Sequence, residues 1–210
     1  MEIDIKTEKQ MACWGLIFVY ISGIIAIVIL TLSEKSFTKG GDDLFLVIAL
    51  IILILGTIFY GVSIYRFSKK LNNGAIFTNF LRSLLIFILT VVIIFAIFFI
   101  VLTTIMGINT NLWLLANLGP LGAILVWIIG ELIIRWIGDI LSSLFAKKYL
   151  DIFYEYTKEA LFRVGGYFIY YGALTGIILI GYLFMVIGWL LVMAAFFKMP
   201  NTIKLEKLES

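Results

Sequence analysis

Apolar residues come in long runs separated by short polar knots, and the runs have bilayer length. They predict helices over 11–32, 44–65, 80–106 and 120–146, because roughly 18–20 apolar residues rising about 1.5 Å each cross about 30 Å of hydrocarbon. A last run, 164–197, is 34 residues long. One straight helix of that length would reach about 50 Å, so the run predicts two short spans, 164–179 and 182–197, folded as a tight hairpin. The knots carry turn chemistry: Gly40-Gly41 within 33–43, and Asn72-Asn73-Gly74 within 66–79. The charge-free stretch 107–118 sets Asn109, Asn111 and Asn117 around Trp113, which suits a water interface. Pro120 suits a first helical turn, where its missing N–H is not needed. Residues 147–163 follow another pattern. Tyr149, Phe153, Tyr156 and Ala160 share one helical face and Asp151, Glu155, Lys158 and Glu159 the other, predicting an amphipathic segment on the cytoplasmic surface.

Composition turns this pattern into a class. At 63% hydrophobic residues, 14% charged residues and a mean hydropathy of +1.14, the chain has more apolar surface than a soluble domain of its size can bury. The expected fold is all-α, a polytopic integral membrane helix bundle of about six transmembrane helices in a single domain, 1–210. The mixed charges of the first ten residues do not make a secretory signal, so the first apolar run is read as a retained helix. The outer loops of a six-span chain hold only Lys35 and Lys39, whereas the inner segments hold the other basic residues apart from Arg135. By the positive-inside rule both termini are then cytoplasmic and the protein is a multi-pass protein of the cell membrane.

Several chemistries drop out. There is no histidine and one cysteine, Cys13, so imidazole or thiolate metal sites and an internal disulfide are not expected, and Cys13 reads as a small apolar residue. No Gly-rich phosphate-binding motif is present. No cofactor, no metal and no nucleic-acid partner are expected; the basic inner loops suit anionic headgroups. An enzyme is not expected either: there is no His for a nucleophile's base, and Asp139 is the one Asp in any expected span.

The residues that demand an explanation are Glu131, Arg135 and Asp139, spaced i, i+4, i+8 in the fourth apolar run. They form one stripe, extended by Trp127, Gly138 and Ser142, and a charge at the bilayer centre costs at least about 2.5 kcal/mol. In one reading a carboxylate carries a proton or cation, tuned by Arg135. In the other the three form a structural network near the inner headgroups, with Arg135 bridging both acids. Gly172 and Gly176 form a GxxxG that favours close helix packing.

Three stretches carry a resemblance: NNGAIFTNFL at 72–81, YLDIFYEYTKEALFRVGGYFIYYGALTGIILIGYLF at 149–184, and MAAFFKMP at 193–200. Together they resemble an archaeal family of small multi-pass membrane proteins catalogued as a domain of unknown function. The resemblance implies an archaeal membrane protein and carries over no catalytic residue. The functional expectation is a non-enzymatic accessory or structural subunit of a membrane complex. Its partners are the lipid bilayer and other membrane subunits or a second copy. The alternative is a small transporter or channel working through Glu131, Arg135 and Asp139.

Overall fold

The computed structural model describes residues 2–33, 41–105 and 119–204. Six helices account for nearly all of them: α1 (Lys6–Ser33), α2 (Gly41–Lys70), α3 (Gly74–Ile105), α4 (Gly119–Thr157), α5 (Ala160–Leu174) and α6 (Leu179–Lys198). Two short strands, β1 (Glu2–Asp4) and β2 (Thr202–Lys204), pair antiparallel with Ile3 opposite Ile203. Residues 2–4 and 202–204 therefore lie side by side. The all-helical class holds, and four helices contain segments long and apolar enough to cross a membrane: Lys6–Ile29, Leu44–Lys70, Gly74–Thr103 and Ile180–Lys198. Of the expected loop at 33–43, Ser33 ends α1 and Gly41, Asp42 and Asp43 open α2, while 34–40, with Lys35 and Lys39, lie outside the described residues, as does the expected loop at 107–118 with Trp113.

Helix ends follow local chemistry. Asn72 takes a left-handed conformation (φ 49°), which Asn tolerates at a helix C-terminus. The next residue, Asn73, accepts the Ala75 N–H on Oδ1 at 3.0 Å and so caps α3. The α2–α3 connection thus shrinks to three residues, tighter than the 66–79 expected. The fourth helix runs on through the amphipathic stretch to Thr157 instead of stopping at 146, since Tyr149, Leu150 and Phe153 are wholly buried and propagation of a packed helix is favourable. It breaks at Lys158, where φ is 55°, and Glu159 caps α5 by accepting from Leu161 N–H at 3.3 Å. The final reversal falls at 175–178, earlier than the 180–182 expected. Thr175 ends α5 because its hydroxyl and its N–H both turn back to Tyr171 O, at 2.9 and 3.1 Å.

Each pair of successive helices is an antiparallel hairpin zipped by small residues. A Cβ on Gly15 would stand 2.6 Å from Tyr60 N, and one on Gly56 2.8 Å from Gly15 O, so α1 and α2 cross with backbones touching. At the α3–α4 crossing, Gly138 faces Thr90, and the Ser83 and Ser142 hydroxyls hydrogen-bond at 3.0 Å. In α5–α6, Gly165 lies against Gly188 and Gly172 against Gly181, two glycines seven residues apart on each helix. Close backbone approach of this kind is how helices associate where lipid competes equally for apolar side chains.

The three hairpins meet at the end that carries β1 and β2. There Phe196 is ringed by Tyr60, Phe67, Phe153 and Phe162, with centroids 4.8 to 6.0 Å away, and the Tyr60 and Tyr149 hydroxyls hydrogen-bond at 3.2 Å. Offset and edge-to-face packing of such rings adds to their area burial. Cations border this core: Lys147 lies 4.5 Å above the Tyr167 ring, and Arg163 lies over Tyr154 and Tyr167 at 5.4 and 5.9 Å. Tyr149, expected in an amphipathic segment on the cytoplasmic surface, is instead inside the core. Away from this end the picture inverts. Leu50 and Ile58 of α2, Leu89, Phe95 and Phe99 of α3, and Leu125 and Ile129 of α4 are all more than half exposed.

Candidate functional site

The charged stripe of α4 stands apart from the packed aromatic end. Asp139 stands ten residues before the buried Tyr149, about 15 Å up the helix axis. Its neighbour Gly138 packs on Thr90, near the middle of the apolar segment Gly74–Thr103 of α3. Arg135 and Glu131 follow toward the opposite end, about 6 and 12 Å further on. The stripe therefore runs from near the middle of the α3–α4 contact away from the basic end.

Asp139 is the enclosed member and Arg135 the open one. Asp139 Oδ2 lies 3.9 Å from Arg135 Nε, with side-chain exposures of 15% and 51%. The Tyr182 hydroxyl of α6 donates to the same Oδ2 at 3.5 Å, and the Arg135 guanidinium stacks over the Tyr182 ring at 5.1 Å. A guanidinium on a ring face beside a carboxylate keeps its charge with little water. Glu131 is not joined to this group: among the described residues no cation lies within 4.0 Å of its carboxylate. The bridging of both acids by Arg135 is thus half present. Four residues earlier on the same stripe, the buried Trp127 Nε1–H has no acceptor among the described residues, and its ring packs on Phe98 at 5.4 Å.

The third hairpin stops beside this stripe. Trp136 Nε1–H donates to Leu174 O, the end of α5, at 3.1 Å. The reversal at 175–178 is therefore level with the middle of α4, about 25 Å short of its first residue. With 15 residues, α5 reaches about 22 Å, less than the roughly 30 Å of a hydrocarbon core. Of the two glycines singled out for packing, Gly172 sits at the α5–α6 contact, 2.7 Å from Gly181 O when given a Cβ. Gly176 lies in the reversal, facing Ala173 O. Among the described residues no cluster of three or more Cys, Asp or Glu is placed to hold a metal ion.

A second cluster, at the basic end, escaped the sequence reading. Glu8, 4% exposed, pairs with Lys70 at 2.8 Å, and Lys70 also donates to Asp4 O at 2.7 Å. Ser63 donates to Glu8 O at 2.7 Å. Lys9 donates to Met199 O at 2.6 Å, and Ile5 N–H to Asn201 O at 2.8 Å. Together with the strand pair these bonds clamp both chain ends to the end of α2. The available signal was the period-two alternation Glu2-Ile3-Asp4-Ile5 and Thr202-Ile203-Lys204, which reads as strand. Lys70→Met leaves the Glu8 carboxylate buried without its cation and is expected to lower stability in detergent by about 1–3 kcal/mol, since Lys70 itself is partly exposed. Glu8→Gln in the same chain should recover part of the loss in a thermal melt; a Lys70→Met melt equal to wild type would mean that the pair is solvated.

A family model described as a protein of unknown function, DUF996, matches residues 51–190. The matched stretch contains Glu131, Arg135, Asp139 and the four glycines of the third hairpin, and excludes the clamped ends. The uncharacterized protein MJ1644 of Methanocaldococcus jannaschii is 26% identical over 189 residues, spanning 89% of this chain and 94% of its own length. No solved structure matches the chain.

Proposed function

Since the chain belongs to the DUF996 family, whose description assigns no activity, we propose from its own geometry that it is a non-enzymatic subunit of a membrane assembly. In this reading the packed aromatic end faces the cytoplasm and the three hairpins extend into the cell membrane. The observation that carries the reading is Arg135. Its side chain is half exposed on a stretch of α4 where the outward residues around it, Leu125, Ile129 and Leu132, are apolar. Lipid chains satisfy those residues but not a guanidinium or Glu131 beside it, which pairs with no cation among the described residues. A neighbouring helix that supplies hydrogen-bonding or charged groups satisfies both. The partner is another membrane subunit or a second copy.

Mass spectrometry of the tagged protein, extracted from its native membrane in mild detergent, tests this. A stoichiometric partner or homo-oligomer is expected, and it should be lost on Arg135→Leu. Recovery of the protein as a monomer would overturn the reading.

One arrangement favours a second reading as a small transporter or channel. Asp139, Tyr182 and Arg135 form a polar group at mid-depth, next to a hairpin whose reversal ends there, and interrupted helices at that depth are tolerated where they are buried in protein or line a cavity. Proton or cation flux into proteoliposomes should then fall at least tenfold on Asp139→Asn. Flux unchanged by both Glu131→Gln and Asp139→Asn would remove this reading.

A further inference from the structure

Where the first turns of α1 pass the end of α6, the protein surface opens into a crevice of about 490 Å³. Its rim is polar and basic: Lys6, Lys9, Gln10 and Asn201. Its walls are apolar, with Ile17 behind and the rings of Trp14 and Phe197, 57% and 54% exposed, at the mouth. Among the described residues no acid neutralises the charges at the rim. Lys9 spends two of its three N–H donors on neutral acceptors, Met199 O and Asn201 Oδ1. The one buried acid nearby in sequence, Glu8, turns to Lys70, and Asp4 accepts the backbone N–H of Lys6 at 2.9 Å. Among the described residues no carboxylate pairs with the Lys6 or Lys9 ammonium within 4.0 Å.

The order of these groups along the helix matters. Lys6 and Lys9 stand at the very start of a segment apolar enough to cross a membrane, Lys6–Ile29, and Trp14 follows within two turns. Ammonium groups followed by an exposed indole mark the level at which phosphate headgroups give way to acyl chains. We propose that this crevice binds one anionic membrane lipid, its phosphate between Lys6 and Lys9 and the start of its chain along Trp14, Ile17 and Phe197. The site rests on the membrane reading but not on any partner or flux. Because Lys9 also fastens Met199, a lipid held here braces the seam between the two ends of the chain.

Native mass spectrometry of the full-length protein in mild detergent, offered equal amounts of phosphatidylglycerol and phosphatidylcholine, is the test. Retention of phosphatidylglycerol over phosphatidylcholine is expected, falling about five-fold in Lys6→Gln, in line with the attraction of one lysine to an anionic surface. Lys6→Arg should keep it. Lys69→Gln, which removes an exposed lysine at the same end but outside the crevice, should leave it unchanged. Equal retention of both lipids, no effect of Lys6→Gln, or an equal loss from Lys69→Gln would each overturn the site. Displacement of the lipid by millimolar inorganic phosphate would instead show a free-anion site and overturn the lipid assignment. Lys6 is exposed and its side chain makes no hydrogen bond among the described residues, so a folding defect in Lys6→Gln is not expected, and a matching thermal melt checks this. Flotation of the protein with liposomes tests the membrane premise by itself, so its failure is distinguishable from failure of the site.

Discussion

Phe196→Ala is expected to lower stability in detergent by about 3–5 kcal/mol, the usual cost of removing a fully buried aromatic ring. The ring is wholly inaccessible and touches rings from three other helices, Tyr60 and Phe67 of α2, Phe153 of α4 and Phe162 of α5. No neighbour can fill the space without leaving its own contact, so the cavity persists and its lining loses dispersion contacts. The loss should be read by chemical or thermal unfolding of the purified protein. Phe196→Leu should lose clearly less, because it keeps most of the volume. Substitution of a residue on the exposed apolar faces, Phe95→Ala, should change the same melt by less than about 0.5 kcal/mol. If Phe95→Ala matched Phe196→Ala, the concentration of packing at the basic end would be wrong.

Gly172→Leu is the second large effect, and its cause is opposite: atoms are added where backbones touch. A Cβ at 172 would lie 2.7 Å from both Gly181 O and Met185 N, and those are backbone atoms that cannot rotate away. The α5–α6 hairpin must open, which overpacking data put at about 1–3 kcal/mol or more. Since Tyr182 sits beside this contact, opening the hairpin also withdraws its hydroxyl from Asp139. Gly172→Leu should therefore lower the melting temperature and, where the transport reading holds, flux as well. Gly130, whose Cβ would meet nothing within 4 Å, provides the control: Gly130→Ala should be neutral or slightly stabilising, since Ala is the better helix former. Equal melts for Gly172→Leu and Gly130→Ala would show that α5 and α6 are not zipped through these glycines.

The helix-4 stripe shows how far sequence reasoning reached toward the site. The i, i+4, i+8 spacing placed Glu131, Arg135 and Asp139 on one face, because helical geometry follows from residue number alone. Their environments did not follow. Tyr182, the partner that encloses Asp139 with Arg135, is 43 positions away from it, and only the folding back of α6 brings it there. The same holds for Glu8 and Lys70, 62 positions apart. The glycines divide likewise. GxxxG drew attention to Gly172 and Gly176, whereas the contact uses Gly165 with Gly188 and Gly172 with Gly181. That pairing needs the reversal to fall at 175–178, which hydropathy cannot locate inside an unbroken apolar run.

The sequence by itself determined that this is an all-helical chain with segments apolar enough to cross a membrane, and where the first polar knots divide it. Both follow from transfer free energy and local backbone chemistry, which are sums over neighbouring residues. The tertiary structure alone decided that residues 2–4 and 202–204 pair as strands, that the buried aromatic residues gather at one end, and that the third hairpin stops beside Asp139. Those outcomes depend on which small side chains let which backbones approach, and such choices join residues far apart in sequence.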